Sequence, residues 1–179
     1  MDFVSEILSK FDFSTFDRLL VAALLGGIVG FERERSGKVA GLRTHILVSV
    51  GASLASVISV YLFEHYPSIG GQSGFDYHLI ANIIVGIGFI GAGTILRRED
   101  RVEGTTTAAS LWAVAIIGIA AGLGMYGAAI ASTAIVYLVL AVLWLVEKYL
   151  TKEMRYRGEG IFHILKEHTK HVVDPNSEK

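Results

Sequence analysis

The chain alternates long apolar stretches with short segments that carry its charges, and this pattern predicts membrane-spanning helices. A helix needs roughly 20 apolar residues to cross a hydrocarbon core of about 30 Å. Five stretches approach that length, and they cover residues 13–31, 46–63, 79–96, 108–123 and 125–146. We therefore predict an all-α integral membrane protein with about five transmembrane helices. Because the first and fourth stretches are short, a four-span arrangement with one re-entrant segment stays open.

The basic residues between the stretches predict how the helices are oriented. Lys and Arg occur between the first and second stretches, between the third and fourth, and after the fifth, whereas residues 64–78 contain neither. Basic loops remain on the cytoplasmic side of a membrane. We therefore expect the N-terminus outside and the C-terminus in the cytoplasm. Residues 1–146 would form the transmembrane domain, and residues 147–179 a short cytoplasmic tail.

Composition agrees with a membrane protein and narrows the functions. Hydrophobic residues make up 52% of the chain and charged residues 18%, and the formal net charge is −1. Soluble domains carry about 25% charged residues, and a near-neutral chain has no basic field for nucleic acid. The chain has no Cys, which excludes disulfides, thiolate metal sites and a Cys nucleophile. We expect neither an enzyme nor a cofactor.

Glycines recur at helical spacing within the apolar stretches. Gly26 and Gly30 are four residues apart, as are Gly118 and Gly122. The third stretch carries Gly86, Gly88, Gly91 and Gly93. Small residues allow membrane helices to approach closely, since lipid supplies no hydrophobic drive between them. We interpret these positions as packing faces, with a backbone opened for a ligand or ion as the alternative. Tight turning at Gly122, Gly124 and Gly127 would separate the last two helices.

Charged residues gather at the predicted cytoplasmic ends of the helices. Glu32 and Arg33 follow the first apolar stretch directly, and Arg43 and Thr44 precede the second. Glu32 lies close enough to apolar residues for desolvation to favour an ion pair, and Arg43 is the partner we expect. These four residues form either a functional cytoplasmic cluster or a set of solvated charges that fix topology.

Asn82 is the one strongly polar side chain well inside a predicted span. Such a residue commonly hydrogen-bonds to a neighbouring helix, and a ligand or gating role is the alternative. No Asp, Glu, Lys or Arg lies in the middle of any predicted span. Ion-coupled carriers usually place an ionisable group there, so this absence weighs against a transporter.

Several motifs occur in order and resemble those of one known family. Residues 26–35 read GGIVGFERER and residues 38–48 read KVAGLRTHILV. Residues 86–96 read GIGFIGAGTIL and residues 102–112 read VEGTTTAASLW. Together they resemble the signatures of the MgtC/SapB family, and the match covers roughly residues 18–146.

The resemblance implies a bacterial inner-membrane protein of about five spans. Members of that family are linked to virulence, to growth at low Mg²⁺ and to survival inside macrophages. The family picture implies a regulatory protein in the lipid bilayer that acts on another membrane complex, such as the F-type ATP synthase. A carrier for Mg²⁺ or another solute is the alternative. Longer members carry a C-terminal ACT-like domain, and we expect a short form without it. The glycine faces also suggest a homodimer.

The resemblance also identifies candidate functional positions, residue by residue. Those matching the family motifs are Glu32, Arg33, Arg43, Thr44, Gly91, Gly93, Thr106 and Trp112. Gly26, Gly30 and Gly88 join them as packing or pathway glycines. A carrier, with Mg²⁺ as its ligand or cargo, would need oxygen ligands. They would have to come from the side chains of Asn82 and Thr94 and the backbone carbonyls near Gly91 and Gly93, with Glu32 as a further candidate.

Overall fold

The structure, a computed structural model, describes residues 13–65, 78–98 and 101–142. Its five helices are α1 (Phe13–Arg35), α2 (Leu42–His65), α3 (His78–Gly93), α4 (Thr105–Gly122) and α5 (Tyr126–Val142). Two antiparallel strands, β1 (Leu96–Arg98) and β2 (Arg101–Glu103), form a hairpin between α3 and α4. The predicted five helices are confirmed, whereas the hairpin was not predicted.

Three of the five helices are long and apolar enough to cross a membrane by themselves. They are α1 with 23 residues, α2 with 24 and α4 with 18. At 1.5 Å per residue, α2 is about 36 Å long and exceeds the hydrocarbon thickness. The helices α3 and α5 are apolar but shorter. The chain is an all-α membrane protein, and the orientation of its termini stays a prediction.

The observed helix ends differ from the predicted ones where polar groups cap the backbone. The helix α1 continues through Arg35, and α2 already begins at Leu42. The helix α3 ends at Gly93, although the prediction extended it to residue 96. There the Thr94 hydroxyl donates to the carbonyl of Gly91 at 2.7 Å, which favours ending the helix. Residues 143–179, with the predicted tail, lie outside the described part of the chain.

Two glycines with left-handed backbone conformations end α1 and α4. Gly37 has φ 65°, and its amide and that of Lys38 donate to carbonyls in the last turn of α1. Gly124 has φ 76° and makes the same pair of bonds after α4. Both are Schellman motifs, for which glycine is the usual residue. Three glycines were expected to form the turn between α4 and α5. Gly124 forms it, while Gly122 and Gly127 lie within the two helices.

The helix α4 lies at the centre of the apolar core. One buried cluster joins it to α1 and α5 through Ala22, Leu25, Ile117, Ala121 and Ala129. A second joins it to α2 and α3 through Ala52, Ile87, Ala115 and Ile119. The helices α1, α2 and α4 pack against one another, and α3 packs mainly on α4. Contacts divide the chain into Met1–Tyr137 and Leu138–Lys179, and of the second unit only residues 138–142 are described.

Candidate functional site

Two glycines of α4 bring its backbone into contact with α2. A Cβ atom added at Gly118 would overlap the carbonyl oxygen of Ser49, and one added at Gly122 would overlap that of Ser53. Neither obstacle is the end of a flexible side chain, so neither can move aside cheaply. Only glycine fits at these two positions.

Two glycines of α1 approach the same helix from another side. A Cβ added at Gly26 would lie 2.7 Å from the Cβ of Ser49, and one at Gly30 would lie 2.8 Å from the Cβ of His45. Because α1 and α4 both pack closely on α2, the helices leave little room between them at Ser49. We call this three-helix contact the closed interface.

The face of α2 within the closed interface is polar. Its buried polar residues are His45, Ser49, Ser53, Ser56 and Ser59. Their spacing of three or four residues places them on one side of the helix. This stripe was not predicted from the sequence. Serines at helical spacing after a histidine, within an apolar stretch, were the signal that would have identified it.

Two hydroxyls of the stripe bond to backbone carbonyls. Ser56 donates to the carbonyl of Ala52 at 2.9 Å, and Ser53 approaches that of Arg18 at 3.4 Å. The Ser49 hydroxyl differs, since it is fully buried and has no hydrogen-bond partner among the described residues. Unsatisfied buried hydroxyls are uncommon in proteins. Ser49 is therefore a weak point in an otherwise satisfied stripe.

A buried ion pair lies at the end of α1, beside the start of α2. Glu32 is 7% exposed and Arg33 1% exposed, and the Arg33 Nε donates to one carboxylate oxygen of Glu32. Ser36 donates to the other oxygen at 2.7 Å. The expectation that Arg43 pairs with Glu32 was wrong, because Arg43 is exposed in the first turn of α2. Arg33 is the buried neighbour and supplies the counter-charge that a buried carboxylate requires.

His45 connects α2 to α4 at the same end of the bundle. It is fully buried, and its Nδ1 lies 2.8 Å from the carbonyl oxygen of Gly41. Its Nε2 lies 3.0 Å from the Ser110 hydroxyl, which itself donates to the carbonyl of Thr107 at 2.8 Å. We call Glu32, Arg33, Ser36, His45 and Ser110 the buried polar cluster.

At the same end of the bundle, Glu34 forms a hydrogen bond, whereas three basic side chains are exposed. The Glu34 carboxylate accepts the backbone N–H of Leu42 at 2.8 Å and so caps the start of α2. The basic side chains of Arg35, Lys38 and Arg43 are exposed. Thr44, also expected in the functional cluster, is half-buried. Of the four residues predicted together, the structure thus joins Glu32 to Arg33 and leaves Arg43 outside.

The glycines of α3 have surroundings unlike those of α1 and α4. Only Gly91 is packed, and a Cβ there would make ordinary contact with Ala108 at 3.4 Å. Added Cβ atoms at the other three would meet no described atom within 4 Å, and these are Gly86, Gly88 and Gly93. They are open positions rather than packing positions within this chain.

Asn82 lies on the exposed side of α3. With Gly86, Phe89 and Gly93 it follows a spacing of four, three and four residues, which places all four on one face. Phe89 is 85% exposed. We call these four residues the outward face of α3. The expected hydrogen bond from Asn82 to another helix of the chain is not seen in the described structure.

The other family-motif positions of α4 also face outward. Thr106 is exposed and Trp112 is 47% exposed, whereas the neighbouring Thr107 is buried. Within residues 13–65, 78–98 and 101–142, no group of three His, Cys, Asp or Glu side chains is placed to hold a metal ion. The site is therefore a buried polar cluster and an outward helix face, both on a five-helix membrane protein.

Comparison with known proteins assigns that architecture to a family. The family model of the MgtC family matches residues 19–149, and the chain belongs to that family. It is 42% identical over 125 residues to "Putative magnesium transporter YhiD" of Escherichia coli K12, covering 70% of this chain and 58% of that protein. It is 38% identical over 133 residues to Protein SapB of Bacillus subtilis, covering 73% of this chain and 57% of SapB.

A third relative is Protein MgtC of Salmonella typhimurium. The identity is 41% over 118 residues, which covers 66% of this chain and 47% of MgtC. The chain thus matches roughly half of the length of these relatives. No solved structure matches the chain.

Proposed function

We propose that this protein is a regulatory or accessory membrane protein, which acts on another membrane complex through the outward face of α3. The observation that carries the proposal is the make-up of that face. It combines Asn82 with two open glycines beside the protruding Phe89. Small residues and amides favour contact between helices within a membrane.

The exposed face of α1 differs in composition from the outward face of α3. That face carries large apolar side chains, namely Phe16, Leu20, Leu24, Ile28 and Phe31. Lipid tails are as apolar as leucine, so such a face is suited to lipid. The outward face of α3 exposes backbone and a side-chain amide instead. A protein helix can offer both of them hydrogen bonds or close packing, which lipid tails cannot.

The closed interface supports the same proposal from the interior of the bundle. A pathway along the buried serines of α2 would have to pass Ser49 and Ser53, where Gly118 and Gly122 pack directly on the backbone. A hydrated divalent ion does not fit between surfaces in contact, and Mg²⁺ loses its water reluctantly. The interior is suited to a rigid scaffold.

The physiological setting is also part of the proposal. We place the protein in the bacterial inner membrane, in adaptation to low Mg²⁺ or to stress inside a host cell. Membership of the MgtC family and the magnesium-related name of a relative support this setting. The F-type ATP synthase and a second copy of the chain are the candidate partners for the outward face of α3.

Site-specific photo-cross-linking in native membranes tests the proposal. A photoreactive residue at position 89 should give a discrete protein adduct, whereas the same residue at position 24 on α1 should give only lipid adducts. Asn82→Leu should reduce the adduct from position 89 at least several-fold. The adduct mass distinguishes a second copy from a different protein. Equal labelling from positions 24 and 89, with no protein product, would refute the proposed contact.

A carrier for Mg²⁺ or another solute is the second candidate, and one observation favours it. The polar stripe of α2 places four serines inside a membrane-spanning helix, and oxygen atoms are the ligands that Mg²⁺ prefers. The name of the Escherichia coli relative refers to magnesium transport. If the closed interface opens during a transport cycle, Ser49→Leu should stop flux in reconstituted protein. Under the regulatory proposal there is no flux to stop.

A further inference from the structure

Three exposed basic side chains surround the turn between α1 and α2. Arg35 is the last residue of α1, Lys38 lies in the turn, and Arg43 is in the first turn of α2. Among the described residues, none of the three forms an ion pair, although Lys38 interacts with the buried Glu32 at longer range. Three exposed cations without a bonded counter-charge therefore lie at one end of the bundle.

The acidic residues at this end do not cancel these bases. The carboxylate of Glu34 is directed at the backbone N–H of Leu42, and that of Glu32 is buried against Arg33. Glu103, another exposed acid, belongs to the hairpin before α4. At the turn, three positive charges against the one negative charge of Glu34 leave a net charge of +2. Such a surface favours an anionic group.

The two arginines lie on the same side of the contact between α1 and α2. Gly27, Phe31 and Arg35 follow one another at four-residue spacing, which places them along one side of α1. Arg43 and Ile46 are three residues apart and share a side of α2. A Cβ added at Gly27 would lie 3.6 Å from the Ile46 side chain, so these two rows of residues adjoin.

The apolar members of the two rows continue from the bases into the membrane span. We call Gly27, Phe31 and Ile46 the α1–α2 groove. Gly27 has no side chain to cover the half-buried Ile46, and Phe31 is 60% exposed beside it. At 1.5 Å per residue, Arg35 lies about 12 Å along α1 from Gly27. Charge at the helix ends is thus followed by an apolar surface at hydrocarbon depth.

We propose that the α1–α2 groove and the three bases bind one anionic phospholipid. Arg35, Lys38 and Arg43 hold its phosphate, and one acyl chain lies along the groove. A guanidinium group donates paired hydrogen bonds to phosphate, and a lysine adds a point charge. Basic pockets between membrane helices are known to bind anionic headgroups. The inference does not rest on the proposed function, because it involves α1 and α2 and not the outward face of α3.

The combination of charge and groove selects this class of ligand. A zwitterionic headgroup carries an ammonium group, which the three bases repel. Free phosphate has no apolar part to cover the groove. An acidic protein segment would have to place its charges next to an apolar surface within the membrane, which is costly. An anionic phospholipid matches both the bases and the groove.

Native mass spectrometry of the purified chain, ejected from lipid nanodiscs, tests the site. The nanodiscs contain equal amounts of phosphatidylglycerol and phosphatidylcholine with identical acyl chains. The chain should retain one phosphatidylglycerol, and phosphatidylcholine at a several-fold lower occupancy. Equal occupancy of the two lipids, which is the result expected if the bases serve only topology or a protein partner, would overturn the proposal.

A matched pair of variants separates the site from general attraction by positive charge. Arg43→Gln should lower the retained phosphatidylglycerol about fivefold, the effect expected of one base near an anionic headgroup. Arg97→Gln is the control, because Arg97 is an exposed base in the hairpin, and it should retain the lipid. Both residues are exposed, so both variants should fold, which the unfolding midpoint verifies. Equal losses in the two variants would overturn the proposal.

Competition with inorganic phosphate distinguishes a lipid from a free anion. The chain with its retained phosphatidylglycerol is transferred to detergent micelles and exposed to excess phosphate at constant ionic strength. The lipid should remain bound, because phosphate replaces only the headgroup contacts and not those of the groove. Complete displacement by phosphate would show that the groove contributes nothing and would overturn the assignment of a phospholipid.

Discussion

The glycines of α1 and α4 and those of α3 lie in similar apolar sequence, but their surroundings in the structure differ. The first group packs against a neighbouring helix, whereas most of the second group is open. Gly26 and Gly118 contact α2 so closely that no side chain fits. At Gly86, Gly88 and Gly93, by contrast, an added Cβ would have no atom of the described residues within 4 Å. The difference teaches that spacing alone does not decide whether a glycine face is interior or outward. The facing helix decides it, since α2 presents small serines to the first group.

The ion pair at the end of the closed interface should give the largest effect. Arg33→Met leaves the buried carboxylate of Glu32 without its counter-charge and should lower the free energy of unfolding by about 3–5 kcal/mol. Equilibrium unfolding in detergent micelles measures it. Arg35→Gln is the control, because Arg35 is exposed two residues away and should change stability by less than about 0.5 kcal/mol. Equal losses for the two variants would show that Arg33 is not buried as described.

The two kinds of glycine are compared directly by adding the same methyl group to each. Gly118→Ala should lower the free energy of unfolding by about 1–3 kcal/mol or more, because its Cβ overlaps the Ser49 carbonyl. Gly88→Ala should leave stability unchanged or raise it by up to about 1 kcal/mol through helix propensity. Thermal unfolding of the two proteins in the same micelles gives the comparison. If Gly88→Ala lowered the free energy of unfolding as much as Gly118→Ala, the distinction between open and packed glycines would be wrong.

Hydropathy predicted the helices well because each membrane span is a long apolar stretch of sequence. It did not predict which residues of each helix face the interior of the bundle. The alternation of apolar residues could not reveal that α2 turns its serines inward, since serine is compatible with either side of a membrane helix. The partner of Glu32 was missed for another reason. Sequence shows which charges are near one another along the chain, but burial decided between Arg33 and Arg43.

Asn82 shows the same limit for the outward face. Its position within an apolar stretch made it a candidate site residue, and that role stays a prediction. The expected contact with another helix of this chain requires knowledge of how α3 is rotated. That rotation depends on Ile87 and Gly91, which pack against neighbouring helices. The hairpin after α3 was missed because its strands have only three residues each.

Two serines of the polar stripe should respond in opposite directions. Ser49→Ala removes a buried hydroxyl that has no partner in the described structure and should raise the free energy of unfolding by about 1 kcal/mol. Ser56→Ala removes a hydroxyl bonded to the carbonyl of Ala52 and should lower it by about 0.5–1.5 kcal/mol. The same unfolding assay measures both. Destabilisation by Ser49→Ala would indicate that its hydroxyl has a partner after all.

The outward face of α3 should give the smallest effect on stability and a large one on function. Asn82→Leu should change the free energy of unfolding by less than about 0.5 kcal/mol, because the side chain is exposed. It should nevertheless abolish support of growth at low Mg²⁺ in a strain that depends on this protein. Leu24→Val, on the lipid-type face of α1, is the control and should retain growth. Full growth with Asn82→Leu would show that Asn82 on the outward face of α3 is not required for function.

A closed interface that serves as a scaffold rather than as a pathway should not conduct Mg²⁺, and Mg²⁺ flux into proteoliposomes tests this most directly. The purified chain is reconstituted, its fold is verified by the unfolding midpoint, and uptake is compared with that of empty liposomes and of liposomes containing Ser49→Leu. If the closed interface is a scaffold, we expect Mg²⁺ uptake no higher than in empty liposomes. Saturable Mg²⁺ uptake by the folded protein, lost in Ser49→Leu, would contradict it and make the polar stripe of α2 a transport pathway.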